Sequence, residues 1–186
     1  MIVPVKFNTM RNLYLLLYYG IAQFLPDSYF GILGKWSNAI RVWLCKRIFK
    51  KCGKIRTINR KVHFGRGKYI EIGDESGIGA RAHLTGRVII GKYVMISRDT
   101  MIWHGNHEFS RTDIPIIEQG MKPSKTTIIE DDCWIGMRSI LTPGRHVSKG
   151  TIVAMGSVLT RDYPAYSIVG GNPAKVIKSR IKEEQE

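Results

Sequence analysis

Two histidines, His104 and His107, stand three residues apart in a stretch that also carries Glu108, Arg111 and Asp113. An imidazole titrates near physiological pH, so histidine is well suited to act as a general base that removes a proton from a reacting group. A histidine at such a position can equally well hydrogen-bond a turn. From the residues alone, a catalytic His107 and a His107 that only stabilises a turn are equally supported.

The chain around these histidines repeats every six residues. Aliphatic side chains recur in two ladders: Ile72, Ile78, Leu84, Ile90, Ile96 and Ile102, and then Ile129, Ile135, Leu141, Val147, Val153 and Leu159. This step fits neither a helix nor an alternating strand, but it fits a prism whose three sides each take one hexad with the aliphatic residue inward. We therefore predict an all-β fold, a left-handed parallel β-helix, in preference to ordinary strands in a sandwich.

The two ladders are out of step with each other. Ile102 and Ile129 are 27 residues apart, which is not a multiple of six, so a loop must leave the prism near residue 105 and return near residue 126. Long irregular segments in compact repeats are usually functional. His107 falls at the root of this protruding loop. The predicted parts of the chain are a basic, mainly helical appendage (1–61), the β-helix (62–168) and a C-terminal tail (169–186).

The positive charge is concentrated in the appendage. The whole chain carries a net charge of +14, but residues 1–61 hold twelve Lys or Arg and one acidic residue, a net +11, which leaves +3 for the rest. The repeat region is therefore nearly balanced, and we predict no nucleic-acid partner. The three cysteines, Cys45, Cys52 and Cys133, lack metal-ligand or redox spacing, and no signal peptide is evident, so the sequence predicts a cytoplasmic protein.

The appendage combines aromatic residues with basic ones. Its apolar stretch, 13–25, is shorter than the roughly 20 residues that cross a bilayer. Trp36, Ile40 and Trp43 recur at helical spacing, and a basic run, 46–56, follows. A basic amphipathic helix can lie on an anionic membrane. The alternative is that the aromatic residues cap the open end of the prism or pack on a neighbouring subunit.

Four motifs connect the repeat to a known family. The chain resembles the hexapeptide-repeat acyltransferases, in particular the branch of maltose, galactoside and polysaccharide O-acetyltransferases, over the segments Ile129–Met137, Leu141–Gly144, Val153–Asp162 and Val169–Lys178. The resemblance implies a homotrimer of parallel prisms, with acetyl-CoA bound between two neighbouring subunits. It also implies that His107 is the catalytic base, with His104 as the rival residue.

The same resemblance suggests the residues that would bind acetyl-CoA. It implies that the pantetheine arm lies along Trp134, Met137 and Met155, with Thr160 and Arg161 further down the cleft. Lys175 and Lys178 match the basic positions of the closing motif and would bind the CoA phosphates as point charges. The alternatives are core packing for Met155 and a solvated tail for the two lysines. No metal is expected.

We therefore expect an O-acetyltransferase that modifies a hydroxyl group of a sugar or cell-surface glycan precursor. The galactoside and maltose members have an asparagine-rich coil where this chain has residues 75–83 without asparagine. Other acceptors are therefore open, namely a xenobiotic hydroxyl or a nucleotide-sugar amine. Two further alternatives are a trimeric scaffold or membrane-surface adaptor, and a zinc enzyme of the carbonic anhydrase type. The second is disfavoured because His83 and His107 would project from different sides of the prism.

Overall fold

The computed structural model describes residues 9–181. Two helices come first, α1 (Thr9–Gly20) and α2 (Gly31–Ile48), joined by a short 3₁₀ turn at Ala22–Phe24. Sixteen short strands follow in the described part: β1 (Lys51–Cys52), β2 (Thr57–Ile58), β3 (Ile70–Ile72), β4 (Gly77–Ile78), β5 (His83–Leu84), β6 (Val88–Ile90), β7 (Met95–Ile96), β8 (Met101–Ile102), β9 (Thr127–Ile129), β10 (Trp134–Ile135), β11 (Ile140–Leu141), β12 (His146–Val147), β13 (Ile152–Val153), β14 (Val158–Leu159), β15 (Ser167–Gly171) and β16 (Ala174–Ser179).

The strands form the three sides of a prism. Sheet A has the order β1-β3-β6-β9-β12, sheet B the order β16-β15-β13-β10-β7-β4-β2, and sheet C the order β14-β11-β8-β5. Neighbouring strands are parallel and one coil apart, as in the pairs Ile78 with Ile96 and Leu84 with Ile102. The exception is β16, which runs antiparallel to β15. The predicted parallel β-helix, with N-terminal helices and a protruding loop, is confirmed.

The predicted ladder forms the core. Every rung from Ile72 to Leu159 is at most 3 % exposed, and so are the small residues four positions later, among them Ser76, Thr100 and Ser139. A wide residue and a narrow residue therefore alternate inward along each coil. Because each coil covers the apolar side of the next one, the core is continuous from one end of the prism to the other.

The prism begins earlier than the sequence pattern indicates. Strands β1 and β2 precede residue 62, yet they pair in parallel with β3 and β4. Their step to the next coil is 20 residues, as from Ile58 to Ile78, so a search for hexads misses them. At the other end, β15 crosses the predicted boundary at 168/169. Residues 1–8 and 182–186 of the predicted appendage and tail lie outside the described residues.

The two helices close the N-terminal end of the prism. Tyr18 of α1 is fully buried and donates its hydroxyl to the carbonyl of Val62, while Leu44 and Ile48 of α2 join the same core cluster as the rungs. This agrees with the end-cap alternative for the inner side of these helices. Within residues 9–181, neither helix has the length and apolarity that crossing a bilayer requires.

Candidate active site

The protruding loop, residues 105–126, leaves the prism as two antiparallel segments. At its root the amide of Glu108 donates to the carbonyl of Gly120 (3.0 Å), and the amide of Lys122 donates to the carbonyl of Asn106 (2.8 Å). His107 lies between these two bonds and faces Met121 across the ladder. Its side chain is exposed, and within residues 9–181 its ring makes no hydrogen bond. The backbone of His107 is thus fixed, while its side chain remains exposed.

His104 is placed differently. Its ring packs against Gly86, where an added Cβ would come within 2.3 Å of the His104 Cβ. The Nδ1 atom is buried without a hydrogen-bond partner among the described residues. The His104 carbonyl accepts a bond from the amide of Lys125 (3.2 Å) at the point where the loop returns. His104 therefore closes the corner of the prism, whereas His107 faces solvent.

The Glu108 carboxylate forms its hydrogen bonds within the loop. One carboxylate oxygen accepts hydrogen bonds from the amides of Phe109 (2.9 Å) and Ser110 (3.1 Å), and Lys122 lies 3.7 Å away. These amide bonds, the Phe109 one foremost, lower the pKa of Glu108. A carboxylate held in this way stabilises the turn beside His107 and does not orient its ring.

The tip of the loop is apolar and outward. Ile116 and Ile117 are 57 % and 83 % exposed, while Gln119 ties the tip together by donating to the carbonyls of Arg111 and Ile114. The loop is therefore a structured arm with an apolar end, a form suited to reaching a neighbouring surface.

Trp134 belongs to a row of outward residues on sheet B. The strand register aligns it with Met95 on one side and with Ile152 on the other. The row continues through Ile168 to Lys178. Three strand spacings separate Trp134 from Lys178, which is about 14 Å. The predicted pantetheine residue and one predicted phosphate-binding lysine thus lie on one flat, outward surface.

The two methionines lie beside this row. Met137 and Met155 occupy equivalent turns of successive coils, and the amide of Gly156 donates to the carbonyl of Met137 (2.8 Å). Met155 is 69 % exposed, so the alternative in which it packs in the core is wrong. Met137 is half-buried. The structure therefore brings Trp134, Met137 and Met155 together at one edge of sheet B.

Thr160 and Arg161 lie elsewhere. They follow β14 at the corner where sheet C turns toward sheet A, which is also the corner from which the arm departs after β8. Thr160 is exposed, and Arg161 contacts Tyr163 through its Nε (3.4 Å) and its guanidinium face. Within one chain, the predicted site residues therefore form two groups. Trp134, Met137 and Met155 lie on one side of sheet C, and Thr160, Arg161 and the root of the arm lie on the other.

Lys175 and Lys178 stand on the last strand, with both side chains exposed. Two side chains hold this strand against the prism. Tyr163 donates its hydroxyl to the carbonyl of Ala174, and Arg180 donates to the carbonyl of Gly150 (2.6 Å) and pairs with Asp132 (3.1 Å). The lysines therefore project from an anchored hairpin.

A cleft of about 770 Å³ continues the row beyond Met95 toward the helices. Sequence reasoning missed the residues from outside the hexads that line it, among them Asp27, Tyr29, Arg56 and Asn59. Asp27 and Asn59 are hydrogen-bonded to each other (3.2 Å), and Tyr29 is 82 % exposed. Strand β2 brings Arg56 and Asn59 beside sheet B, and Asp27 and Tyr29 come from the segment that precedes α2. The six-residue pattern indicates neither.

The histidines do not assemble into a metal site. Within residues 9–181 no cluster of three His, Cys, Asp or Glu side chains is arranged to hold a metal ion. His63 and His83 do meet on neighbouring coils, with ring centroids 4.4 Å apart. Burial, and then the proximity of His63, lowers the pKa of His83.

Comparison with known proteins agrees with this fold. The family model described as the hexapeptide repeat of succinyl-transferase matches residues 126–161, which hold β9 to β14. A crystal structure of a hexapeptide-repeat-containing acetyltransferase from Vibrio cholerae, complexed with acetyl coenzyme A, superposes with a TM-score of 0.75 at 25 % identity, over 97 % of this chain and 92 % of that one. Residues 126–161 of this chain therefore carry hexapeptide repeats. The predicted resemblance to hexapeptide-repeat acyltransferases is confirmed.

Two sequence relatives of this chain are acetyltransferases by name. Chloramphenicol acetyltransferase from Agrobacterium fabrum is 33 % identical over 113 residues, which are 53 % of this chain and 54 % of the relative. WcaF of Escherichia coli, assigned to colanic acid biosynthesis as an acetyltransferase, is 26 % identical over 155 residues, 82 % of this chain and 80 % of the relative. The chain thus spans about half the length of the first relative and four fifths of the second.

Proposed function

We propose that this protein transfers an acetyl group from acetyl-CoA to a hydroxyl group of a sugar or cell-surface glycan precursor, with His107 as the general base. The observation that carries the proposal is the exposed His107 ring, fixed at the root of the arm in a chain that shares its fold with an acetyltransferase solved with acetyl coenzyme A. The resemblance to WcaF supports a glycan acceptor.

The residues on sheet B suit acetyl-CoA. An extended pantetheine arm needs a long, flat and largely apolar surface, and the row from Trp134 through Ile152 and Ile168 offers one. The phosphates need cations at one end, and Lys178, aligned with that row, together with Lys175 would supply them. At the other end, Met137 borders the cleft that would admit the acceptor.

The division of the site residues supports a shared active site. His107 belongs to one corner of the prism and Trp134 to the opposite side of sheet C, so one chain does not bring the base to the cofactor surface. A homotrimer would place the corner of one subunit beside sheet B of the next. The apolar tip of the arm, Ile116 and Ile117, would then pack on the neighbouring subunit.

In this arrangement His107 takes the proton from the acceptor hydroxyl as its oxygen attacks the thioester carbonyl carbon. The carbon–sulfur bond then breaks, and the imidazolium of His107 returns the proton to the departing thiolate. Backbone N–H groups of the coils would stabilise the negative charge on the carbonyl oxygen. No protein nucleophile is needed, and the buried thiol of Cys133 lies inside the core, away from this surface.

The cleft beside Met95 would bind the acceptor. It presents Glu75 with its partner Arg56 (3.2 Å), the Asp27 carboxylate and the exposed Tyr29, which are groups that hydrogen-bond hydroxyls or stack on sugar rings. A xenobiotic hydroxyl is the second candidate, because the Agrobacterium relative is a chloramphenicol acetyltransferase.

The three free cysteines agree with a reducing, cytoplasmic setting.

Release of free thiol from acetyl-CoA tests the proposal. The purified chain is incubated with acetyl-CoA and a panel of sugars, glycan precursors and chloramphenicol, and the His107→Ala variant serves as the control. We expect acceptor-dependent thiol release with at least one sugar and its loss in the variant. Release with chloramphenicol alone would select the second candidate. No acceptor-dependent release from an intact trimer that binds acetyl-CoA would contradict the proposal.

A further inference from the structure

Helix α2 is inverted with respect to an ordinary amphipathic helix. Its buried face carries Gly34, Ser37 and Arg41 together with Leu44, Cys45 and Ile48. Its outward face carries Ile32, Trp36, Ile40 and Trp43, which are 44–74 % exposed. A surface helix normally turns its polar residues to water, so this outward face requires a partner that covers apolar side chains.

Arg41 locks the helix in this orientation. Its side chain is fully buried and donates hydrogen bonds to the carbonyls of Ile58 (2.7 Å), Ala22 (3.3 Å), Leu25 (3.3 Å) and Pro26 (3.1 Å). If α2 rotated to bury its tryptophans, the Arg41 guanidinium would lose these acceptors. A buried charge without hydrogen-bond partners is strongly destabilising. The outward position of Trp36 and Trp43 is therefore built into the fold.

Helix α1 extends the same apolar surface. Its outward residues Leu13 and Leu16 are 46 % and 69 % exposed. The Tyr14 ring of α1 meets the Trp43 ring edge-on at 5.7 Å, which joins the exposed sides of the two helices. Contiguous exposed apolar surface of this kind marks an interaction site.

Basic residues border this surface. Lys35 and Lys46 flank the outward side of α2, and the Arg47 guanidinium lies 3.7 Å from the centre of the Trp43 ring. Asp27 is the single acidic residue among residues 1–61, and its carboxylate accepts bonds from Asn59 and the amide of Tyr29. The charge of this face is therefore uniformly positive and calls for an anionic partner.

We propose that the outward face of α1 and α2 binds an anionic lipid membrane, with both helices lying in the interface. Trp36, Trp43 and the aliphatic residues would enter the headgroup region, and Lys35, Lys46 and Arg47 would contact lipid phosphates. A second copy of the chain is the alternative occupant, and the oligomeric state of a variant in this face distinguishes the two. The inference does not depend on the acetyl transfer.

Cosedimentation of the full chain with vesicles tests this proposal. The vesicles are phosphatidylcholine alone or an equal mixture of phosphatidylcholine and phosphatidylglycerol, each at low and high salt. We expect binding to the mixed vesicles at low salt, with a large loss at high salt. Trp36→Ser with Ile40→Ser should weaken binding about tenfold or more, and each of Lys35→Gln and Lys46→Gln about fivefold.

Matched variants on the prism serve as controls. Tyr69→Ser removes an aromatic residue that is 51 % exposed, and Lys92→Gln removes an exposed charge, so both should bind like the wild type. All the altered side chains are exposed, and circular dichroism checks that each variant is folded. Absence of binding to mixed vesicles, or equal binding by the Trp36→Ser/Ile40→Ser variant, would overturn the proposal. A smaller oligomer of that variant in light scattering would assign the face to a second copy and overturn it as well.

Discussion

His107 and Trp134 lie on opposite sides of sheet C within one chain. Trp134 projects from β10 of sheet B, with its Nε1 donating to Ser97 Oγ (3.2 Å), whereas His107 follows β8 beyond the far end of sheet C. The proposed base and the proposed cofactor-binding surface are separated in this way, so they would form one site only between two neighbouring prisms. The proposed mechanism is therefore also a proposal about assembly.

Replacing His107 should affect the reaction far more than replacing His104. His107→Ala should lower kcat by about 10²- to 10⁴-fold, because general-base catalysis contributes that much. The affinity for acetyl-CoA, measured by calorimetry, should change little. His104→Ala, which removes a ring packed on Gly86, should instead lower the melting temperature and leave kcat within about threefold. Equal losses of kcat in the two variants would contradict the assignment of His107 as the base.

Removing the charges of the last strand should weaken cofactor binding. Lys175→Gln combined with Lys178→Gln should raise KM for acetyl-CoA about tenfold or more and flatten its dependence on salt, because two charge-assisted contacts to phosphate are lost. The kcat should stay nearly constant. Lys92→Gln, on another part of the prism, is the control. If the double variant matched that control, the two lysines would be a solvated tail.

The inward rungs should determine stability, and their outward neighbours should not. Leu141 is fully buried, so Leu141→Ala should lower the free energy of unfolding by about 2–5 kcal/mol. Ile140 is one residue earlier and 38 % exposed, so Ile140→Ala should lower the free energy of unfolding by about 1 kcal/mol or less. Urea unfolding of the two variants measures the difference. A larger loss for Ile140→Ala would mean that the hexad register is wrong.

Burial should keep the core thiols unreactive. Burial raises the pKa of Cys133 to about 11 and also raises that of Cys45. At pH 8 a pKa of about 11 instead of about 9 lowers the thiolate fraction about a hundredfold. Iodoacetamide should therefore leave both thiols unmodified in the native protein and label them quickly in denaturant, as read by mass spectrometry. Rapid labelling of native Cys133 would contradict its position in the core.

The prism was predictable because its core residues are local in sequence. Ile72 to Leu159 recur at a fixed step, each faces inward, and the offset between Ile102 and Ile129 reveals the arm. The first coil was not predictable, because its step of 20 residues breaks the hexad. The inverted orientation of α2 depends on the bonds from Arg41 to carbonyls up to 19 residues away, which no periodicity encodes.

The sequence predicts the candidate site only as a set of single residues, and their arrangement comes from the structure. The motifs predict His107, Trp134, Met137 and the two lysines as site residues. The structure places His107 at the corner after β8 and the other four residues on or beside sheet B. The family resemblance did not indicate that Glu108 binds the backbone of the arm, because that depends on the turn at Phe109 and Ser110.

Complementation between two impaired variants, assayed at an acetyl-CoA concentration well below KM, tests the central claim most directly. One chain carries His107→Ala and the other carries Trp134→Ala with Lys178→Gln, and the two are refolded together into mixed trimers whose composition is verified by mass spectrometry. The account predicts that the mixture recovers acetyl transfer, because some interfaces combine an intact His107 with an intact cofactor surface. Verified mixed trimers with no more activity than the separate variants would contradict it.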